Sequence, residues 1–143
     1  MSTALVLRAL RRRRRAEDDP AVGVDIVEVE AVAAALSSGR AERYLELVYS
    51  PEELRDCTGA HGIEASRLAS RFAAKEAVRK AIGGEIMDLP WRSIEVVRAV
   101  DGRPSVRLDQ PATAVARRRG LRAFAVSLSH EPAYAAAIVV GTR

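Results

Sequence analysis

The chain has 143 residues, a formal net charge of +4 and 48% apolar residues, a size that suits one domain with its own core. Its single cysteine, Cys57, excludes an internal disulfide or a thiolate metal cage within one chain and fits a reducing, cytoplasmic setting. No apolar run reaches membrane-spanning length, and few aromatics beside abundant alanine predict a thin core that leans on subunit contacts.

Residues 1–20 read as a flexible Arg-rich tail, in which Arg8 and Arg11 to Arg15 are closed by Glu17, Asp18 and Asp19. The mildly apolar residues 1–10 precede the basic run, the reverse of a secretory signal. Six arginines against three acids in this tail leave only +1 of the formal +4 for the rest of the chain. The nearly neutral body has one tryptophan, three tyrosines and two phenylalanines, too few for the aromatic-studded basic face of a nucleic-acid binder. The arginine run alone would bind phosphate backbones without specificity, so no specific nucleic acid is expected as a partner.

A single domain is expected over residues 21–143. Residues 22–29, Val-Gly-Val-Asp-Ile-Val-Glu-Val, predict a strand dense in β-branched side chains. Residues 31–36 predict a short helix stopping near Ser37-Ser38-Gly39, and residues 40–48 a second one. Ser50-Pro51-Glu52-Glu53 is a helix start, with a capping serine, proline at the first helical position and acids in the first turn. Residues 64–82 form the long helix, ended by Gly83-Gly84. Then the period changes: strands over 94–100 and 105–108 are joined through Asp101-Gly102-Arg103-Pro104. A helix over 111–119 follows, before Gly120, and strands over 123–129 and 134–140 flank His130-Glu131-Pro132. Helices come early and strands late, which makes the fold class α+β.

The chain contains only two lysines, Lys75 and Lys80, both in the long helix, while every other basic charge outside histidine is arginine. Lysine is a compact, titratable point charge and arginine a planar permanent fork, so a site handling phosphate or protons distinguishes them while a solvated surface does not. Asp25 interrupts an apolar strand; it is either a buried carboxylate needing a cation, a metal or donors, or an aspartate at the strand's exposed edge. On the long helix, Phe72 and Glu76 share a face, Arg67, Arg71 and Lys75 form an adjacent basic stripe, and Glu76 and Lys80 are four apart in the favourable order. Such a helix either carries chemistry or is a surface salt-bridge ladder. His130, after a strand and flanked by hydroxyls, either meets a phosphate or caps a turn. One aspartate and one glutamate are too few for an all-protein metal cage, but Mg²⁺ commonly takes one or two carboxylates plus substrate phosphates and waters.

Three segments, Val22-Gly23-Val24-Asp25-Ile26-Val27-Glu28, Arg71-Phe72-Ala73-Ala74-Lys75-Glu76-Ala77 and Ser127-Leu128-Ser129-His130, together resemble the motifs of the holo-acyl-carrier-protein synthases. These are the small AcpS-type 4′-phosphopantetheinyl transferases. The turn at 101–104 is similar to the family's Gly-Lys-Pro turn, and the likeness runs from about residue 21 to 140. The resemblance implies a 4′-phosphopantetheinyl transferase-like fold with a long central helix packed on a mainly antiparallel sheet. It implies transfer of the phosphopantetheine arm of coenzyme A to a serine of an acyl or peptidyl carrier protein, with release of 3′,5′-ADP. Asp25 and Glu76 would then ligate Mg²⁺, Glu76 and Lys80 would serve catalysis, and Arg71, Lys75, Lys80 and His130 would hold the phosphates of coenzyme A. A cytoplasmic homotrimer with sites shared between subunits is implied as well.

The chain departs from the family at two positions. Ala31 stands where an arginine six residues after the metal-binding aspartate is usual, and Leu47 where a second arginine precedes the Ser50-Pro51 helix. Both losses suggest a specialised carrier, such as one of a polyketide or peptide synthase, rather than the standard carrier of fatty acid biosynthesis. The competing expectation is a non-catalytic or repurposed member of the fold that binds a carrier protein without transfer; the retained Asp25, Glu76 and Lys80 argue against it.

Overall fold

A computed structural model describes residues 19–143; the arginine run and the rest of the expected tail through residue 18 lie outside the described residues. The chain opens with strand β1 (Ala21–Glu28), followed by helices α1 (Val29–Leu36), α2 (Ala41–Val48) and α3 (Pro51–Asp56). A two-residue hairpin, β2 (Thr58–Gly59) and β3 (Gly62–Ile63), leads into the long helix α4 (Ala65–Ile82). Short 3-10 turns at Gly84–Asp88 and Trp91–Ser93 precede β4 (Ile94–Arg98) and β5 (Pro104–Leu108). Helix α5 (Gln110–Arg118) and strands β6 (Ala123–His130) and β7 (Tyr134–Thr142) complete the order.

The expected elements are present, with differences at their ends. Helix α1 begins at Val29 rather than residue 31, because the Val29 amide donates to the carbonyl of Ala133 (2.9 Å) and the chain turns there. Strand β4 stops at Arg98 rather than residue 100: Ala99 N donates to Arg103 O (2.8 Å) and Gly102 N to Ala99 O (2.9 Å), closing the turn and leaving Val100 in solvent. The tiny β2–β3 hairpin and the 3-10 turns carry no periodicity and are absent from the sequence reading. Ser50 caps α3 as expected: its hydroxyl accepts from Glu53 N while the Glu53 carboxylate accepts from Ser50 N.

Strands β1, β7 and β6 form one antiparallel sheet in that order, with β7 central; β4 and β5 form a separate hairpin beside β6. Along β7 the alternation is strict, and Ala135, Ala137, Val139 and Gly141 point inward. Helix α4 lies across this inner face. Its Ala69, Ala73, Ala74 and Ala77 are wholly buried, and small side chains let helix and sheet approach closely. The closest approach is at Gly23 of β1, where a Cβ would overlap the carbonyl oxygen of Ala77 and lie 3.0 Å from the amide nitrogen of Ala81. Helix α4 ends at Gly83, whose φ of 72° admits few side chains and whose amide returns to Arg79 O at 2.7 Å.

Among the described residues, nothing covers the sheet's other face. Val22, Val24 and Ile26 of β1 and Tyr134 and Ile138 of β7 are all about half exposed or more. So many adjoining apolar side chains on one flat face are more than a small domain normally leaves in water.

Candidate active site

Parity in β1 decides where Asp25 goes. Val22, Val24 and Ile26 face outward, so Gly23, Asp25 and Val27 face α4. Asp25 sits opposite Ala137 of β7, and its side chain is 17% exposed. Strand β1 is an edge strand, yet the carboxylate turns inward and meets a cation: Asp25 Oδ1 accepts from Lys80 Nζ at 2.8 Å. Lys80 Nζ also donates to the carbonyl of Val24 at 3.0 Å and keeps about half its side chain in solvent. The bond to Asp25 holds the Lys80 ammonium above the ordinary lysine value.

One turn before Lys80, Glu76 is half-buried on the same flank. Burial raises its carboxyl above the ordinary glutamate value, the Asp25 charge raises it further, and Arg79 and Lys80 oppose both. Asp25, Glu76 and Lys80 therefore gather on the β1 side of α4 as two carboxylates and one accessible ammonium. Among the described residues, no three His, Cys, Asp or Glu side chains group as a metal cage. A pair of hard carboxylate oxygens with open surroundings suits Mg²⁺, which completes its shell from waters and substrate phosphates.

A second station lies on the opposite flank. A cleft of about 380 Å³ is lined by Arg67, Ser70 and Arg71 of α4, by Glu64 just before it, which pairs with Arg67 at 2.8 Å, by Arg98, by Gly102 and Pro104 of the β4–β5 turn, and by Leu128 and His130 of β6. Arg71 is 7% exposed, and its Nε has no hydrogen-bond partner among the described residues. Its nearest carboxylate is Asp56 at 3.8 Å, too far for a hydrogen bond. A buried guanidinium with an unused donor, beside further cations, is suited to an anion. Arg71, His130 and the Asp-Gly-Arg-Pro turn, distant in sequence, thus meet in one place. Arg98 was missed by the sequence reading; its position just before that turn was the available signal.

Lys75 requires a correction. It was expected among the phosphate-binding residues, but it is fully buried and its three hydrogens have acceptors within the core. Lys75 Nζ donates to Glu53 Oε2 (2.8 Å), Ile94 O (2.6 Å) and Trp91 O (3.3 Å). Burial pulls its ammonium below the ordinary lysine value, while Glu53 works to restore it. The basic stripe on α4 is therefore split, with Arg67 and Arg71 facing the cleft and Lys75 turned into the protein.

Comparison with known proteins identifies the family of the chain. Residues 21–139 match the family model described as the 4′-phosphopantetheinyl transferase superfamily. The holo-[acyl-carrier-protein] synthase of Moorella thermoacetica is 42% identical over 118 residues, covering 82% of this chain and 90% of that one. That of Desulforudis audaxviator is 41% identical over 122 residues, covering 84% and 92%. In three dimensions, the Chronobacterium ammoniagenes ACPS–CoA complex gives a TM-score of 0.70 at 30% identity, covering 87% of this chain and 97% of that one. Holo-[acyl-carrier-protein] synthase (AcpS) from Neisseria meningitidis gives 0.71 at 28% identity, covering 86% and 98%. The chain belongs to the 4′-phosphopantetheinyl transferase superfamily and, within it, to the holo-[acyl-carrier-protein] synthase family. Its fold is the α+β fold of that family, a long central helix packed on a mainly antiparallel sheet.

Proposed function

We propose that this protein transfers the 4′-phosphopantetheine arm of coenzyme A to a serine of an acyl or peptidyl carrier protein in the cytoplasm, with Mg²⁺ held by Asp25 and Glu76. The observation that carries the reading is the convergence of Asp25, Glu76 and Lys80 on one flank of α4, from positions 55 residues apart in the chain. The serine oxygen forms a bond to the phosphorus nearer pantetheine, the bond from that phosphorus to the bridging oxygen breaks, and 3′,5′-ADP leaves. The bound Mg²⁺ would supply neutralisation of the charge developing on the transferred phosphoryl group. Lys80, held by Asp25 and the Val24 carbonyl, would offer a point charge to the leaving diphosphate oxygen. The serine proton needs a base on this flank, and the Glu76 carboxylate is the side chain at hand.

Coenzyme A carries a diphosphate and a separate 3′-phosphate, and α4 carries two stations for anions. They are not on one face: Arg71 and Lys80 are nine residues apart, about half a turn out of phase and roughly 13 Å apart along the axis. One molecule reaches both stations most simply when they come from different subunits. The uncovered apolar face of β1 and β7, with Ile26 and Tyr134 beside His130, suits such an assembly, and a closed homotrimer would bury it in every copy. Ala31 on α1 and Leu47 on α2 are both exposed, so neither position offers the carrier protein a cation, in keeping with a specialised acceptor.

Complementation tests the shared site. Asp25→Ala alone and the double variant Arg71→Ala/His130→Ala alone should each release little 3′,5′-ADP from coenzyme A in the presence of an apo carrier. Co-expressed, they should regain up to about a quarter of the wild-type rate, since random assembly pairs the two intact stations at that frequency. No recovery from verified mixed oligomers would mean that each site lies within one subunit.

A further inference from the structure

Glu53 and Lys75 are both wholly buried, and every polar direction of the pair is tied to main chain. Glu53 Oε1 accepts from Val96 N and Oε2 from Ser50 N, both at 2.8 Å, while Lys75 binds the carbonyls of Trp91 and Ile94. Burying an ion pair contributes little net stability, and apolar side chains of similar volume would fill the space as well. What the ions add is direction, because each hydrogen bond fixes an angle as well as a distance. Arg79, one turn after Lys75, repeats the contact: its guanidinium lies 3.6 Å over the Trp91 ring and donates to Leu89 O at 2.6 Å. Two cations four residues apart thus hold one side of α4 to residues 89–94. Glu76 and Lys80 follow each of them by a single residue, a rotation of about 100°.

We propose that the Glu53–Lys75 pair is a positioning device that sets the rotation of α4 and so places Glu76 and Lys80 for transfer, an inference that rests on the transferase reading above. A turn of the helix by about 10° would move a head group at its rim by roughly 1 Å. A displacement of that size at reacting groups can cost on the order of a hundredfold in rate.

The test compares kcat and KM for Glu53→Asp, for Glu53→Gln/Lys75→Met and for Val115→Ala, a core control on α5, well below each variant's melting temperature. Glu53→Asp keeps the charge but withdraws the carboxylate by one methylene; the double variant removes both charges together. Both are expected to lose about tenfold to a hundredfold in kcat per folded molecule, with KM for the carrier within about twofold of wild type. Val115→Ala is expected to keep kcat within about twofold whatever stability it loses. Wild-type kcat in folded Glu53→Asp, or an equal fall in the control, would overturn the inference. If the double variant does not fold, Glu53→Asp decides alone. A wild-type protein without transfer would instead overturn the functional reading. Hydrogen exchange at the amides of 76–80, faster in Glu53→Asp than in Val115→Ala, would then support the pair's role directly, and equal exchange would refute it.

Discussion

Asp25→Ala is expected to lower the rate of phosphopantetheine transfer by about a thousandfold or more while the melting temperature stays close to wild type. The reason for the rate is electrostatic. Removing one preorganised group that faces developing charge commonly costs about 10²–10³ in kcat, and Asp25 both offers a metal ligand and holds Lys80 by a 2.8 Å bond. The fold should tolerate the change because the lysine left behind is half in solvent and can hydrate. Glu76→Ala is expected to behave alike, since burial already disfavours its charge and its loss relieves that cost. Lys80→Arg should lose more than about tenfold in kcat, because the larger guanidinium cannot occupy the same point beside Asp25 and Val24 O. Initial rates of 3′,5′-ADP release, paired with thermal melts, separate these effects from unfolding. Full activity in Lys80→Arg would remove the reason for keeping lysine here.

The second large effect is expected at Gly23. Gly23→Ala should destabilise the protein by about 3 kcal/mol, the upper end of the usual range for overpacking. The added Cβ meets main chain, the carbonyl of Ala77 and the amide nitrogen of Ala81, rather than a side chain that could swing away. Neither partner yields cheaply: β1 is paired with β7 along its whole length, and α4 is clamped to residues 89–94. Relief would lift α4 from β1 and draw Glu76 and Lys80 away from Asp25, so activity should fall together with stability. Gly39→Ala is the matched control, with nothing within 4 Å of the added atom and an expected change near zero. Urea unfolding of the two variants measures the contrast.

Much of this was legible in the sequence because it is local. The helix start at Ser50-Pro51-Glu52-Glu53 and the Gly83 stop each lie within a few residues, where local propensity acts directly. The two lysines part company in the fold: Lys80 pairs with Asp25 at the edge of α4, whereas Lys75 belongs to the core. What hid Lys75 was its partner, since Glu53 reads as an ordinary first-turn acid and only the fold brings it to a residue 22 positions away. The setting of Asp25 could not be decided for the same reason. Whether a strand residue faces in or out depends on pairing with β7, more than a hundred residues later. The opposite placement of Arg71 and Lys80 on α4 was implicit in their spacing, but it acquires meaning only beside the uncovered face of the sheet.

The most direct test of the proposed transfer is intact-protein mass spectrometry of apo carrier proteins from fatty-acid, polyketide and peptide synthases, each incubated with this protein, coenzyme A and Mg²⁺. The expected result is a gain of one phosphopantetheine on at least one carrier, absent with Asp25→Ala. No gain on any carrier, from folded protein that still binds coenzyme A, would contradict the transferase and leave a carrier-binding member of the fold.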